Sequence, residues 1–149
     1  MKERSLIDLF EDNELKISIL YNLYSQKIPA KKTFWKKISD EEVIHAKEIA
    51  KNFAKEKELF KENKFTRGVV SYVSGYVEEK ITEAKKNKIT HADAINIALR
   101  IEQSILEKKC FDMFMPTNIT VKKVIERLNK DTERHANQLR KELKKIKSS

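Results

Sequence analysis

The sequence predicts an all-α fold, an antiparallel bundle of four long helices, and three observations carry that prediction. Only two Gly and two Pro occur in 149 residues, which leaves almost no material for hairpins or glycine-rich phosphate loops. Lys, Glu, Ala, Leu and Ile together make up about half of the chain, and all but Ile are good helix formers. Apolar residues recur at three-and-four spacing over long stretches, the period of one helix face. With 40% hydrophobic and 37% charged residues the chain can bury one core and is too short for two, so residues 1–149 are read as a single domain.

The first helix is expected over residues 5–26, opening on the capping-box-like Ser5-Leu6-Ile7-Asp8 and ending at Ile28-Pro29. Its inward stripe is Phe10, Glu14, Ile17, Tyr21, Tyr24, so one acid interrupts an apolar face. Leu15 is the adjacent apolar alternative if the phase turns by one position.

The second helix is expected over residues 30–63, with Trp35, Ile38, Glu42, His45, Ile49 and Phe53 inward. Glu42 and His45, three apart, share that face. Ser39-Asp40-Glu41-Glu42 also matches a capping box, but Phe34, Trp35 and Ile38 continue the stripe upstream of it. A short connection makes the first two helices antiparallel neighbours, which brings Glu14 to the level of Glu42 and His45.

Residues 65–88 break the pattern. The run Gly68 to Val77 is rich in β-branched and aromatic residues, a strand by local propensity. A lone strand has no sheet to join here, so a crossover of one or two short helices is expected between helices two and three. The third helix starts with Thr90 as N-cap and Asp93 in its first turn, carries Ile95, Ala98, Glu102 and Ile105 inward, and ends near Met115-Pro116. Ile101 is the apolar neighbour of Glu102. The fourth begins after Thr117 or Asn118 and runs almost to Lys147, with Val121, Ile125, Leu128, Thr132, His135, Leu139 and Ile146 inward.

The net charge of +9 combines 32 basic with 23 acidic residues, interspersed along the helices rather than gathered into a binding stripe, so nucleic acid is not the expected partner. The basic run Arg140 to Lys147 reads as a solvated helix end favoured by the helix dipole. Cys110 stands alone, which excludes an intramolecular disulfide and any CxxC metal or redox motif; it is expected as a small buried hydrophobe. Leu6-Ile7-Asp8-Leu9-Phe10 is broken by charge too soon for a signal sequence, and no run approaches membrane-spanning length, so a cytoplasmic protein is expected.

Glu14, Glu42 with His45, Glu102 and His135 thus sit near the middle of four apolar stripes, and in an antiparallel bundle those levels coincide. Carboxylates bind and bridge hard cations and imidazoles add nitrogen ligands, so these five are the candidate metal ligands. Paired with one another and without metal, the same residues would serve as core histidines and protonated acids. A bundle carboxylate site of the dinuclear kind takes one Glu from each of two helices and a Glu-x-x-His from each of the other two, six positions of which five are filled here.

By Glu14-Leu15-Lys16-Ile17-Ser18-Ile19-Leu20-Tyr21, Phe34-Trp35-Lys36-Lys37-Ile38 with Glu41-Glu42-Val43-Ile44-His45-Ala46, Ala98-Leu99-Arg100-Ile101-Glu102 and Asp131-Thr132-Glu133-Arg134-His135, nearly the whole chain resembles the rubrerythrin-related ferritin-like proteins. The resemblance implies a ferritin-like bundle and a non-haem di-iron centre that reduces peroxide or reacts with dioxygen, oxidising Fe(II). It makes Glu14 and Glu102 largely terminal ligands and Glu42 a bridge. With no cysteine pairs for a rubredoxin-like domain, electrons come from an external donor protein. A homodimer through an outer helix face is compatible with such a bundle.

One departure stands out. The family pattern has Glu three residues before the fourth-helix His, where this chain has Thr132, and Glu133 points away. The site then holds two irons with Asp131 or water in place of the bridge, or one iron, or none. In the last case the alternative is a degenerate helical bundle acting as a basic interaction or nucleic-acid-binding protein. Tyr21, two turns beyond Glu14, is either a hydrogen-bond donor to a ligand carboxylate or a core-edge residue.

Overall fold

The structure, a computed structural model, describes residues 6–53, 64–107 and 119–148. These form five helices: α1 (Leu6–Lys27), α2 (Lys32–Phe53), α3 (Lys64–Lys86), α4 (His91–Glu107) and α5 (Ile119–Ser148), with a single 3-10 turn at Pro29–Lys31 between α1 and α2. The fold is all-α, and no strand occurs among the described residues.

Local chemistry sets the helix ends. The amide of Ile28 still donates to the Tyr24 carbonyl at 2.9 Å, and Pro29, with no amide hydrogen, stops α1 there and starts the 3-10 turn. At α4, Thr90 Oγ1 accepts from the amide of Asp93 at 3.1 Å, the cap expected of this threonine. As the upstream stripe of Phe34, Trp35 and Ile38 implies, α2 runs unbroken through Ser39 to Glu42, so no capping box forms there. Instead Ser39 Oγ donates to the Ser18 carbonyl at 2.8 Å and Ser18 Oγ to the Ser39 carbonyl at 3.0 Å. Two small residues let the backbones of α1 and α2 approach closely, and each hydroxyl satisfies the other helix in the dry interior.

Contact levels give the helix directions. Tyr24 meets Trp35, Ser18 meets Ser39 and Glu14 meets the Glu42 and His45 pair, so α1 and α2 are antiparallel. Glu48 with Arg127, His45 with Asp131 and Glu41 with Arg134 make α2 and α5 antiparallel. Glu102 with His135 and His91 with Glu142 do the same for α4 and α5. The core runs between these four helices: Phe10, Ile17, Tyr21, Tyr24, Trp35, Ile38, Ile49, Ile95, Ala98, Leu128 and Leu139 are buried, as their stripes predict. Ile146, expected inward, is only half-buried.

Between α2 and α4 the structure differs from expectation. In place of one or two short helices, Lys64–Lys86 form one unbroken helix of 23 residues. Val70, Val73, Val77 and Ala84 are buried while Tyr72 and Glu78 are exposed, so the valines follow helical spacing, and burying that stripe overrides their β propensity. The helix lies along α1, where Lys16 Nζ donates to Ser74 Oγ at 3.1 Å and pairs with Glu78.

The extension of the second helix to residue 63, the Ser5 cap, Cys110, the Met115-Pro116 stop and the start at Thr117 or Asn118 lie outside the described residues, as do the side chains of Phe53, Ile105, Val121 and Ile125. Among the described residues no helix is long and apolar enough to cross a membrane.

Candidate metal centre

All five candidate ligands are buried, none more than 3% exposed. Leu15, the alternative to Glu14 on its stripe, is 38% exposed, so α1 turns the acid inward and the leucine outward. On α4 both Ile101 and Glu102 are buried. Burying an ionised group costs several kcal/mol, against a whole-domain stability of about 5–15 kcal/mol. Five such groups in one core therefore require mutual compensation or a counter-ion.

The side chains gather into two triads. Glu14, Glu42 and His45 form one and Glu42, Glu102 and His135 the other, with ligand atoms in each within 4.8 Å of one another. Glu42 belongs to both, and its two oxygens are divided between them. Oε2 lies 3.4 Å from His45 Nδ1, and Oε1 lies 3.0 Å from His135 Nδ1. Beyond those nitrogens are the outer acids, Glu14 Oε2 at 3.8 Å from His45 Nδ1 and Glu102 Oε1 at 3.8 Å from His135 Nδ1. The imidazoles stack across the site at 5.6 Å, 27° from parallel.

Each imidazole also has an outer partner. His45 Nε2 is 3.1 Å from Asp131 Oδ2, and His135 Nε2 is in close contact with Glu41 Oε2. Glu41 is in turn held by Arg134 Nη2 at 2.8 Å. Each imidazole thus faces a carboxylate on both ring nitrogens, which favours the doubly protonated ring; a cation taking the place of the Nδ1 proton would leave Nε2–H on Asp131 or Glu41. Asp131 thus lies on the far side of the His45 ring rather than replacing the carboxylate that Thr132 lacks. Thr132 is buried, but its Oγ1 donates to the Leu128 carbonyl at 2.9 Å, within its own helix. Glu133 is exposed.

Tyr21 settles as a donor to the site, its hydroxyl 2.9 Å from Glu102 Oε1. Burial and the charges of Glu102 and Glu42 push its pKa well up, so the hydroxyl keeps its proton. The support of His135 by Glu41 was not anticipated from sequence. Its only trace was an acid beside Glu42 and an arginine beside His135, which means nothing until α2 and α5 are known to face each other.

The electrostatics follow from burial and crowding. Burial, then the Glu42 charge, drives the Glu14 carboxyl well above its ordinary value, and the same two causes raise Glu102. Burial acts on Glu42 too but is outweighed by hydrogen bonds from Glu14, His135 and His45, which hold it well below. Burial opposes the charged imidazoles, yet their acid partners push His45 up to about 12 and His135 to about 11. Glu42 is the central anion, and protons on the surrounding groups balance it. A multivalent cation would replace those protons using the same oxygens and the two Nδ1 atoms.

No family model, curated protein or solved structure matches this chain.

Proposed function

We propose that this chain is a ferritin-like, rubrerythrin-type metalloprotein in which α1, α2, α4 and α5 are the four bundle helices and α3 is the crossover. The centre binds iron, one or two ions, through Glu14, Glu42, His45, Glu102 and His135. The observation that carries this reading is the division of Glu42: one oxygen toward each histidine Nδ1, each histidine backed by a second acid. Two imidazole nitrogens with three carboxylates make a borderline-to-hard donor set that suits Fe(II) and related divalent ions.

Bound iron would supply one-electron redox chemistry and open positions for peroxide or dioxygen. The protein's own residues do the rest. Glu42 holds the two halves together. Asp131 and Glu41 fix the imidazole rings with Nδ1 inward. Tyr21 keeps Glu102 oriented by donating to one of its oxygens. The surrounding apolar side chains exclude water, which strengthens each of these interactions. Thr132 brings no carboxylate, so the two halves share only Glu42 and the second ion is the more weakly held. The single cysteine among these 149 residues leaves the bundle no cysteine-ligated relay of its own, so the electrons for peroxide reduction come from outside the bundle.

The test is turnover by iron-loaded protein: peroxide consumption with an artificial electron donor, and aerobic Fe(II) oxidation. The reading expects at least one rate about tenfold or more above free iron and lost in Glu42→Gln. Rates equal to free iron in both assays would refute it.

A further inference from the structure

A second feature lies outside the Glu/His centre and shares no residue with it. A cavity of about 450 Å³ opens where α1, α3 and α4 meet, a volume within the range of small-molecule sites. Tyr76, Ala84, Ile89 and Ile97 give it apolar walls. Two cations stand over the Tyr76 ring, Lys80 Nζ and the Arg100 guanidinium, each 5.4 Å from its centroid. They are not equivalent. Lys80 is committed to Glu83 at 3.0 Å, whereas Arg100 has no carboxylate partner among the described residues. The tyrosine face holds in place a planar fork of donors that is free to take an anion.

The floor supplies the second observation. Tyr24 is fully buried, its ring packed edge-on against Trp35 at 5.0 Å, and its hydroxyl has no hydrogen-bond partner among the described residues. Burial, with Tyr76 and Glu83 of the cavity wall, raises its pKa, so it is a donor lacking an acceptor. A buried hydroxyl left unpaired costs about 1–3 kcal/mol, which a ligand bringing an acceptor to the floor recovers. The wall holds three cations, Lys80, Lys88 and Arg100, against two acids, Glu83 and Asp93, a balance that suits a monoanion better than a phosphate dianion.

We propose that this cavity binds a small aromatic carboxylate, with its carboxylate oxygens shared between the Arg100 guanidinium and the Tyr24 hydroxyl and its ring among Tyr76, Ala84 and Ile97. The site does not depend on the metal reading, so metal-free full-length protein serves for its test and the two proposals fail separately.

The probe is benzoate, followed by amide chemical-shift titration and by fluorescence of Trp35, the only tryptophan in the chain. Saturable shifts confined to Tyr24 and residues 76–100 are expected, with Arg100→Gln, and benzamide on the native chain, each weakening binding about tenfold or more. Arg100→Lys, which keeps the charge and loses the fork, falls between. Three results would overturn the proposal: no saturation by about 10 mM benzoate, affinity unchanged in a folded Arg100→Gln protein, or acetate or phosphate binding as tightly as benzoate, which would make this a site for any anion.

Discussion

Asp131 Oδ2 lies 3.1 Å from His45 Nε2, on the side of the imidazole away from Glu42. The acid four residues before His135 on α5 therefore serves the histidine of α2, and Glu41 on α2 serves the histidine of α5. This reciprocal support predicts that Asp131→Ala loses about 10–100-fold in metal affinity while leaving the helical content unchanged. Competition against a chelating dye measures it, and an unchanged affinity would remove Asp131 from the site's machinery.

Thr132 occupies an inward position one turn before His135, and its hydroxyl is spent on the Leu128 carbonyl. Thr132→Glu should supply a second shared carboxylate and raise iron occupancy toward two per chain. Metal content after anaerobic Fe(II) loading and desalting decides the point. Unchanged stoichiometry would mean that Glu42 alone does not limit the second ion.

The proton inventory predicts the response to pH. His45 and His135 have folded pKa values of about 12 and 11, above the ordinary 6.5, so their contribution is full below 6.5 and is lost as pH rises through those values. Raised Glu14 and Glu102 act in the same direction, favouring the fold while protonated. Depressed Glu42 and Glu41 act oppositely, contributing above 4.5 and losing that as pH falls through their lowered values. Metal-free protein should be most stable near pH 4.5 and lose melting temperature as pH rises from there, first through Glu14 and Glu102 and more steeply above 6.5, where the two histidines add their loss. A divalent ion must displace those protons, so Zn(II) binding heats should vary with the buffer's ionisation enthalpy and report net proton release. Buffer-independent heats would contradict this assignment.

Gly75 sits exposed in the middle of α3, and a Cβ added there meets nothing within 4 Å. Gly75→Ala should stabilise the protein by about 1 kcal/mol, seen as a higher denaturant midpoint with an unchanged slope. Destabilisation would mean that α3 is not a continuous helix at this point.

The inward stripes were legible because helical spacing is a local property: Phe10, Ile17, Tyr21 and Tyr24 mark one face whatever packs on it. The same spacing placed Glu14, Glu42, His45, Glu102 and His135 inward. The roles of Asp131, Glu41 and Tyr21 depended on which helix faces which, information that no single segment carries. The length of α3 was obscured by a local conflict, since Val69, Val70, Val73 and Val77 read as strand by propensity and as helix by period. Burial of Val70, Val73 and Val77 resolves it, a tertiary effect. The cavity at Tyr24 and Arg100 had no sequence signature, because it is a gap between three helices.

The central claim is that Glu42 unites two histidine-carboxylate triads into one metal centre, and the most direct test is metal stoichiometry. Native protein and Glu42→Gln, purified without tag metal, are loaded anaerobically with Fe(II), desalted and analysed for bound iron. The account predicts about one to two ions per native chain and almost none in the variant, with both proteins folded. Less than about a tenth of an equivalent in the native protein, or equal retention by the variant, would contradict it.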